Sequence, residues 1–188
     1  MKLIHFILIL FFAASCRKGN KDSIETRSKE KLIRISTDSL YQVGSPCGYI
    51  NTKGDTVIPV GKYSYCFFDT INAYGVVVKN GAKISDLIAI DQKENILYEV
   101  YWFDSGPDYI SDGLFRIIKN GKIGYADSLG QIVIEPKYSC ATPFNNGKAQ
   151  VTYDCKLVSE NQNDKDDQHT RMDSDSWIVI DKTGKEIK

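Results

Sequence analysis

The sequence predicts an all-β protein, an array of about three and a half antiparallel β-hairpin repeats that forms either an open array or a partial, propeller-like barrel. Three observations predict it. Four segments align without gaps: Cys47-Gly48-Tyr49-Ile50-Asn51, Leu87-Ile88-Ala89-Ile90-Asp91, Ile123-Gly124-Tyr125-Ala126-Asp127 and Trp177-Ile178-Val179-Ile180-Asp181. Each ends on Asn or Asp and leads into a short polar reversal, with glycine at 54, 130 and 184, before a second β-prone run. Asn and Asp bond their own backbone in turns, and glycine takes positive φ without a Cβ penalty. No stretch of ten or more residues carries capped helical periodicity, so helix content should be low.

The elements follow in chain order. Met1-Lys2, an apolar run from Leu3 to Phe12 broken only by His5, and the small residues Ala13-Ala14-Ser15 before Cys16 form the three parts of an export signal. An apolar stretch of about ten residues is too short for a membrane-spanning helix, which needs roughly 20. Ala13-Ala14-Ser15-Cys16 resembles the lipobox of bacterial lipoproteins, with Ala13 in place of the usual Leu. The resemblance implies that residues 1–15 are a signal peptide, that Cys16 becomes the acylated first residue, and that the protein is attached to a membrane of the bacterial cell envelope. Cleavage elsewhere, with Cys16 incidental, is the alternative. Residues 16–31 continue as a charged and polar tether; fifteen extended residues reach about 50 Å at most. Arg17 and Lys18 directly after the cysteine favour the periplasmic side over the outer surface, where acidic residues often take that place.

The repeat domain spans 32–188. Leu32 to Val43, with Ile33 and Ile35 alternating around Arg34, should supply strands that cap the first unit. The four segments start at 47, 87, 123 and 177, so they are spaced by 40, 36 and 54 residues. Removing the polar insertion at 159–176 brings the last spacing back to 36. Second runs follow the turns: Thr56-Val57-Ile58-Pro59, Ile96-Leu97-Tyr98, Ile132-Val133-Ile134-Glu135-Pro136 and the short Glu186-Ile187. Third runs close the units at Val76-Val77-Val78, Leu114 to Ile118 and Ala149-Gln150-Val151. Asn80-Gly81 and Asn120-Gly121 are the dipeptides of two-residue hairpin turns and are expected to join one unit to the next.

At these residues the chain resembles the WG β-repeat family. The match is best from Ile123-Gly124-Tyr125 through Gly130, Ile134-Glu135-Pro136-Lys137-Tyr138, Phe144 and Gly147, and nearly as good from Gly48 through Gly75. The family's opening Trp is replaced by Cys47, Leu87 and Ile123, while Trp177 is followed by Ile178. The second unit, with Glu94 at the turn glycine, is degenerate. The resemblance implies a β-rich array of a kind frequent on anchored or secreted bacterial proteins, with no established catalytic residues to carry over.

Charge and chemistry narrow the function. Twenty-four Lys+Arg balance 24 Asp+Glu, which removes the basic footprint of a nucleic-acid binder. No metal or cofactor motif is present: His169 follows a polar run suited to a solvated loop, and Asp164, Asp166, Asp167, Asp173 and Asp175 lack calcium-loop spacing. Beyond Cys16, the cysteines Cys47, Cys66, Cys140 and Cys155 show no CxxC spacing, and three disulfide pairings are open. Position in the units favours Cys47 with Cys66 and Cys140 with Cys155; four small buried thiols are the alternative. The densest aromatic stretch holds Tyr101, Trp102, Phe103 and Tyr109, a candidate binding surface. Because Trp102-Phe103 falls close to the place of Tyr63 and Tyr138 in other units, one of the two rings is equally suited to the core. Function therefore reads as a noncatalytic recognition module for a protein, peptide or glycan. The alternatives are an envelope polysaccharide hydrolase using Asp104 and Asp108, and a structural spacer.

Overall fold

The computed structural model describes residues 31–38, 42, 44–159 and 170–187. Residues 1–30, with Cys16 and the proposed signal and most of the tether, lie outside the described residues, as do Leu40, Tyr41, Val43, Asp164, Asp166, Asp167 and His169.

Seventeen strands and no helix account for the regular structure of the described residues. After β1 (Leu32–Ser36), the first unit contains β2 (Cys47–Ile50), β3 (Thr56–Cys66), β4 (Thr70–Ile71) and β5 (Gly75–Lys79). The second contains β6 (Leu87–Ile90), β7 (Ile96–Val100), β8 (Trp102–Phe103), β9 (Gly106–Pro107) and β10 (Leu114–Lys119). The third contains β11 (Lys122–Asp127), β12 (Ile132–Tyr138), β13 (Cys140–Ala141) and β14 (Lys148–Thr152). Beyond it come β15 (Lys156–Ser159), β16 (Thr170–Asp173) and the opening strand of a fourth unit, β17 (Ile178–Asp181).

Ten strands share one antiparallel sheet in the order β12-β11-β10-β7-β6-β5-β3-β2-β1-β4, and β13-β14-β17 form a second. Neither closes into a barrel, so the array is open. The grammar is the same at each junction: the closing strand of one unit pairs with the opening strand of the next, β5 with β6, β10 with β11 and β14 with β17. β1 plays the closing-strand part ahead of the first unit, pairing Ile33 to Ser36 with Ile50 to Cys47. That is the first part of the cap expected from Leu32 to Val43.

All four hairpin reversals are the same turn. Asn51 Oδ1 accepts the N–H groups of Lys53 and Asp55, Asp91 those of Lys93 and Asn95, Asp127 those of Leu129 and Gln131, and Asp181 those of Thr183 and Lys185, all at 2.8–3.0 Å. The fourth turn residue is left-handed each time: Gly54 at φ 93°, Glu94 at 63°, Gly130 at 75° and Gly184 at 81°. Glu94 bears the Cβ cost because its carboxylate pairs with Lys62 and accepts the Tyr63 hydroxyl at 3.3 Å, tying the second turn to the first unit. The third turn sits on the preceding units in the same way, with the Tyr98 hydroxyl donating to Gly130 O at 2.9 Å. Units are therefore stacked through their turns.

Because neighbouring units cover both faces there, β5 from Gly75 to Val78 and all of β6 are buried at every position. Val77, Ile88 and Ile90 enter one core cluster, while Val76, Val78, Leu87 and Ala89 enter the next. A third cluster gathers Tyr125, Tyr138, Phe144 and Ile180 around the third and fourth units. This is the burial expected when no single unit can enclose its own apolar face.

Two details differ from the sequence reading. Asn120-Gly121 forms the two-residue turn, with both residues at positive φ, and joins β10 to β11. Asn80-Gly81 does not: seven residues, 80–86, separate β5 from β6, and this longer loop accounts for the spacing of 40 instead of 36 at that junction. The polar insertion also begins earlier than 159, because β15 and β16 pair as a hairpin of their own, Lys156 opposite Asp173 through Ser159 opposite Thr170.

Candidate functional site

The second unit departs from its neighbours, and its departure starts with a glycine. In the first and third units β3 and β12 bulge against the opening strand: Tyr49 faces Ile58 but Cys47 faces Tyr63, and Tyr125 faces Ile134 but Ile123 faces Tyr138. The bulges bring backbone against Gly48 and Gly124, where a Cβ would lie 2.4 Å from Ile58 O and 2.4 Å from Ile134 O. Only glycine fits there. In the second unit Ile88 faces Glu99 and Ala89 faces Tyr98 with no shift between them, the one register shift lying between Ala89 and Ile90, so no backbone intrudes and Ile88 replaces the glycine. Lacking the extra bulge residues, the chain fills its core with Tyr98 and Val100 and leaves the main sheet at Tyr101.

The aromatic run consequently falls beyond the sheet. Trp102 and Phe103 pair with Pro107 and Gly106 in the separate small hairpin β8–β9. Its two turn residues, Asp104 at φ 45° and Ser105 at 71°, are both left-handed without being glycine. Such conformations cost roughly 1–3 kcal/mol each and persist only where surrounding structure holds them. Beneath the hairpin, under the rings of Tyr101 and Phe103, lies Arg116. Its guanidinium, 2% exposed, donates from Nε to Asp108 Oδ2 at 2.9 Å and from Nη2 to Asp108 Oδ1 at 2.6 Å. The Arg116 N–H adds a bond to Asp108 Oδ2 at 2.8 Å, and Nη1 donates to Ala141 O in the third unit at 3.1 Å. The guanidinium carbon also lies 4.0 Å from the centre of the Tyr101 ring and 5.2 Å from that of Phe103. Burial pushes the Tyr101 phenol above its ordinary pKa against the opposing charge of Arg116, so Tyr101 stays neutral across the physiological range.

On this base stand the exposed rings. Phe103, 40% exposed, and Tyr109, 51% exposed, meet edge to face with centres 5.5 Å apart, and Ile110 is exposed beside them. Trp102 is half-buried against the central core, so of the two rings competing for a core place it is Trp102 that packs inward and Phe103 that stays out. A hollow of about 330 Å³, lined by Phe67, Phe68, Val100, Pro107 and Ile110, opens on one side of the segment. A second of about 580 Å³ adjoins Tyr101 and Trp102.

The other residues singled out by sequence are placed as follows. Cys47 is bonded to Cys66, both wholly buried, and Cys140 to Cys155 at the foot of the inserted hairpin. Asp108 is buried with both oxygens taken by Arg116, so it has no free oxygen to share with Asp104 in a substrate-facing carboxylate pair. Asp173 accepts Arg171 at 3.1 Å, and among the described residues no three His, Cys, Asp or Glu side chains are grouped to hold a metal ion. Sequence reasoning missed Arg116 and Ile110. Arg116 did leave a signal, a lone charge in the apolar run Leu114-Phe115-Arg116-Ile117-Ile118.

A family model described as the WG containing repeat matches residues 48–81 and 123–154, which correspond to the first and third units. The chain thus carries WG-containing repeats at two stretches, and the aromatic site lies between them in the unit that neither match covers. No curated protein and no solved structure matches the chain.

Proposed function

We propose that the protein is a noncatalytic recognition module of the bacterial cell envelope, held to a membrane by an acylated Cys16 and facing the periplasm. The observation that carries the reading is the exposed Phe103–Tyr109 ring pair, set on a strained turn and fixed from beneath by the buried Arg116–Asp108 pair. Rigid aromatic side chains give large contact area at small entropic cost, and a pre-ordered platform lowers the cost of binding further. Regular units to either side serve as a scaffold, in keeping with the rule that sites lie where local structural rules are broken. The lipobox-like Ala13-Ala14-Ser15-Cys16 supports the anchor, and the polar tether supplies reach.

Retention of the chain from residue 16, with Cys16→Ser to prevent acylation, on washed envelope fractions tests the reading. Wild type is expected to be retained and a Phe103→Ala, Tyr109→Ala double variant of unchanged thermal stability to be lost. Equal retention of both would remove the aromatic pair from recognition. Globomycin-sensitive processing and radiolabelled palmitate incorporation, abolished by Cys16→Ser, test the anchor.

A further inference from the structure

We infer that the hollow beside Trp102 is a saccharide-binding groove, an inference that rests on the recognition reading above and names its ligand class. The groove exists because cover lapses on one face of the main sheet. Ile88, Glu99 and Ile118 stand side by side across β6, β7 and β10, Glu99 facing Ile88 on one flank and Ile118 on the other. Ile88 belongs to the first core cluster and Ile118 packs on the third. Between those two cores the face is left open, with Glu99 exposed at its middle. The extra residues of the 80–86 loop form one wall, through Ser85 and Asp86, and Tyr101 with Trp102 form another.

The lining selects the chemistry. A volume of about 580 Å³ lies within the range of small-ligand sites. The floor is aliphatic on either side of Glu99, Trp102 offers an indole, and Lys79 and Asp86 add further polar groups to the lining. Among the described residues, no side chain bonds the Lys79 ammonium, the Ser85 hydroxyl, the Glu99 carboxylate or the Trp102 indole N–H. A phosphate-bearing ligand would meet one lysine against two carboxylates, so it is disfavoured. An extended peptide binds by adding a strand at a free sheet edge, but the strands of this floor already pair with one another, β6 with β7 and β7 with β10. What remains is a neutral ligand with an apolar face and many hydroxyls. Its ring C–H face would lie on Trp102 and its hydroxyls would donate to Glu99 and Asp86, bonds to charged acceptors being the stronger kind.

The chain has two tryptophans, so Trp177→Phe leaves Trp102 as sole reporter. The chain from residue 16 with Cys16→Ser and Trp177→Phe is titrated with chitotriose, cellotriose and maltotriose, followed by indole emission and calorimetry. At least one trisaccharide is expected to shift Trp102 emission to shorter wavelength and saturate. Trp102→Ala should abolish the heat, Trp102→Phe should retain part of it, and Glu99→Gln at an exposed position should weaken binding about tenfold. Absence of any response at millimolar sugar, or binding unaltered by both Trp102→Ala and Glu99→Gln, overturns the inference. If the sugars fail while envelope fractions still retain wild type but not the Phe103/Tyr109 variant, the recognition reading survives and the saccharide does not. If neither binds, both fall.

Discussion

The second and third units begin from the same hairpin and the same Asx turn, yet one turns aromatic rings out to solvent and the other keeps its rings in the core. In the third unit Gly124 admits the bulge at Glu135-Pro136, Tyr125 bonds Thr142 O at 2.8 Å and packs on Phe144, and Cys140 is bonded to Cys155. Each feature binds the unit to itself. In the second unit the second bulge, the glycine it presses on and the disulfide are all missing, and Phe103 and Tyr109 turn outward beyond the sheet. Its internal fixing comes from the buried ion pair instead. The difference teaches that a repeat can release side chains to solvent by losing a structural insertion, without gaining any residue for the purpose.

Five variants probe that contrast, beginning with the largest effect. Asp108→Ala strands the Arg116 guanidinium in the core and should cost about 3–5 kcal/mol in urea unfolding. Replacing both partners, Asp108→Leu with Arg116→Met, should lose less than the single change, because no uncompensated charge remains. In the regular unit Gly124→Ala forces a Cβ against Ile134 O and should cost about 1–3 kcal/mol, read from the shift in denaturation midpoint. Glu94→Gly should leave stability within about 1 kcal/mol of wild type, since relief of the left-handed turn, worth about 1–2 kcal/mol, is set against loss of the partly exposed Lys62 pair.

The smallest effect is a pH dependence. Burial works against the Asp91 carboxylate, but bonds from the Asn95 side chain and from the N–H groups of Asn95 and Lys93 outweigh it and hold the pKa below the usual value. A depressed folded pKa means that this stabilisation is complete above the unfolded value, about 4, and is lost as pH falls through the lower folded value. Asp91→Asn copies the residue that serves the first unit at Asn51 and should flatten the melting temperature between pH 4 and 2 by about 2 °C or less. Near pH 2 the two should melt together, and at neutral pH the variant should melt lower by that same small amount.

Much of the fold was legible because its signals are local. Asn51, Asp91, Asp127 and Asp181 each build their turn from bonds reaching two and four residues ahead, so spacing alone located all four hairpins. The closing strands were legible as apolar runs, since stacking buries both of their faces. Asn80-Gly81 misled because a dipeptide that permits a tight turn does not enforce one when the following strand starts seven residues later. Counting from the turn puts one of Trp102 and Phe103 in the core, and Trp102 does pack there, but from the separate β8–β9 hairpin and not from the main sheet, because the bulge present in the other units is absent from this one. Asp108 looked like a free carboxylate because its partner, Arg116, is supplied by the next strand.

The sequence by itself determined the repeat, the turns and the all-β class, since these depend on periodic burial and on side chains bonding backbone a few residues away. Tertiary structure alone decided which aromatic rings face solvent, that Arg116 neutralises Asp108, that the array stays open, and that cover lapses between two cores at Glu99. Those outcomes depend on strand register and on contacts between units. A change of two or three residues in a bulge moves every side chain after it, and no local pattern records where it comes to rest.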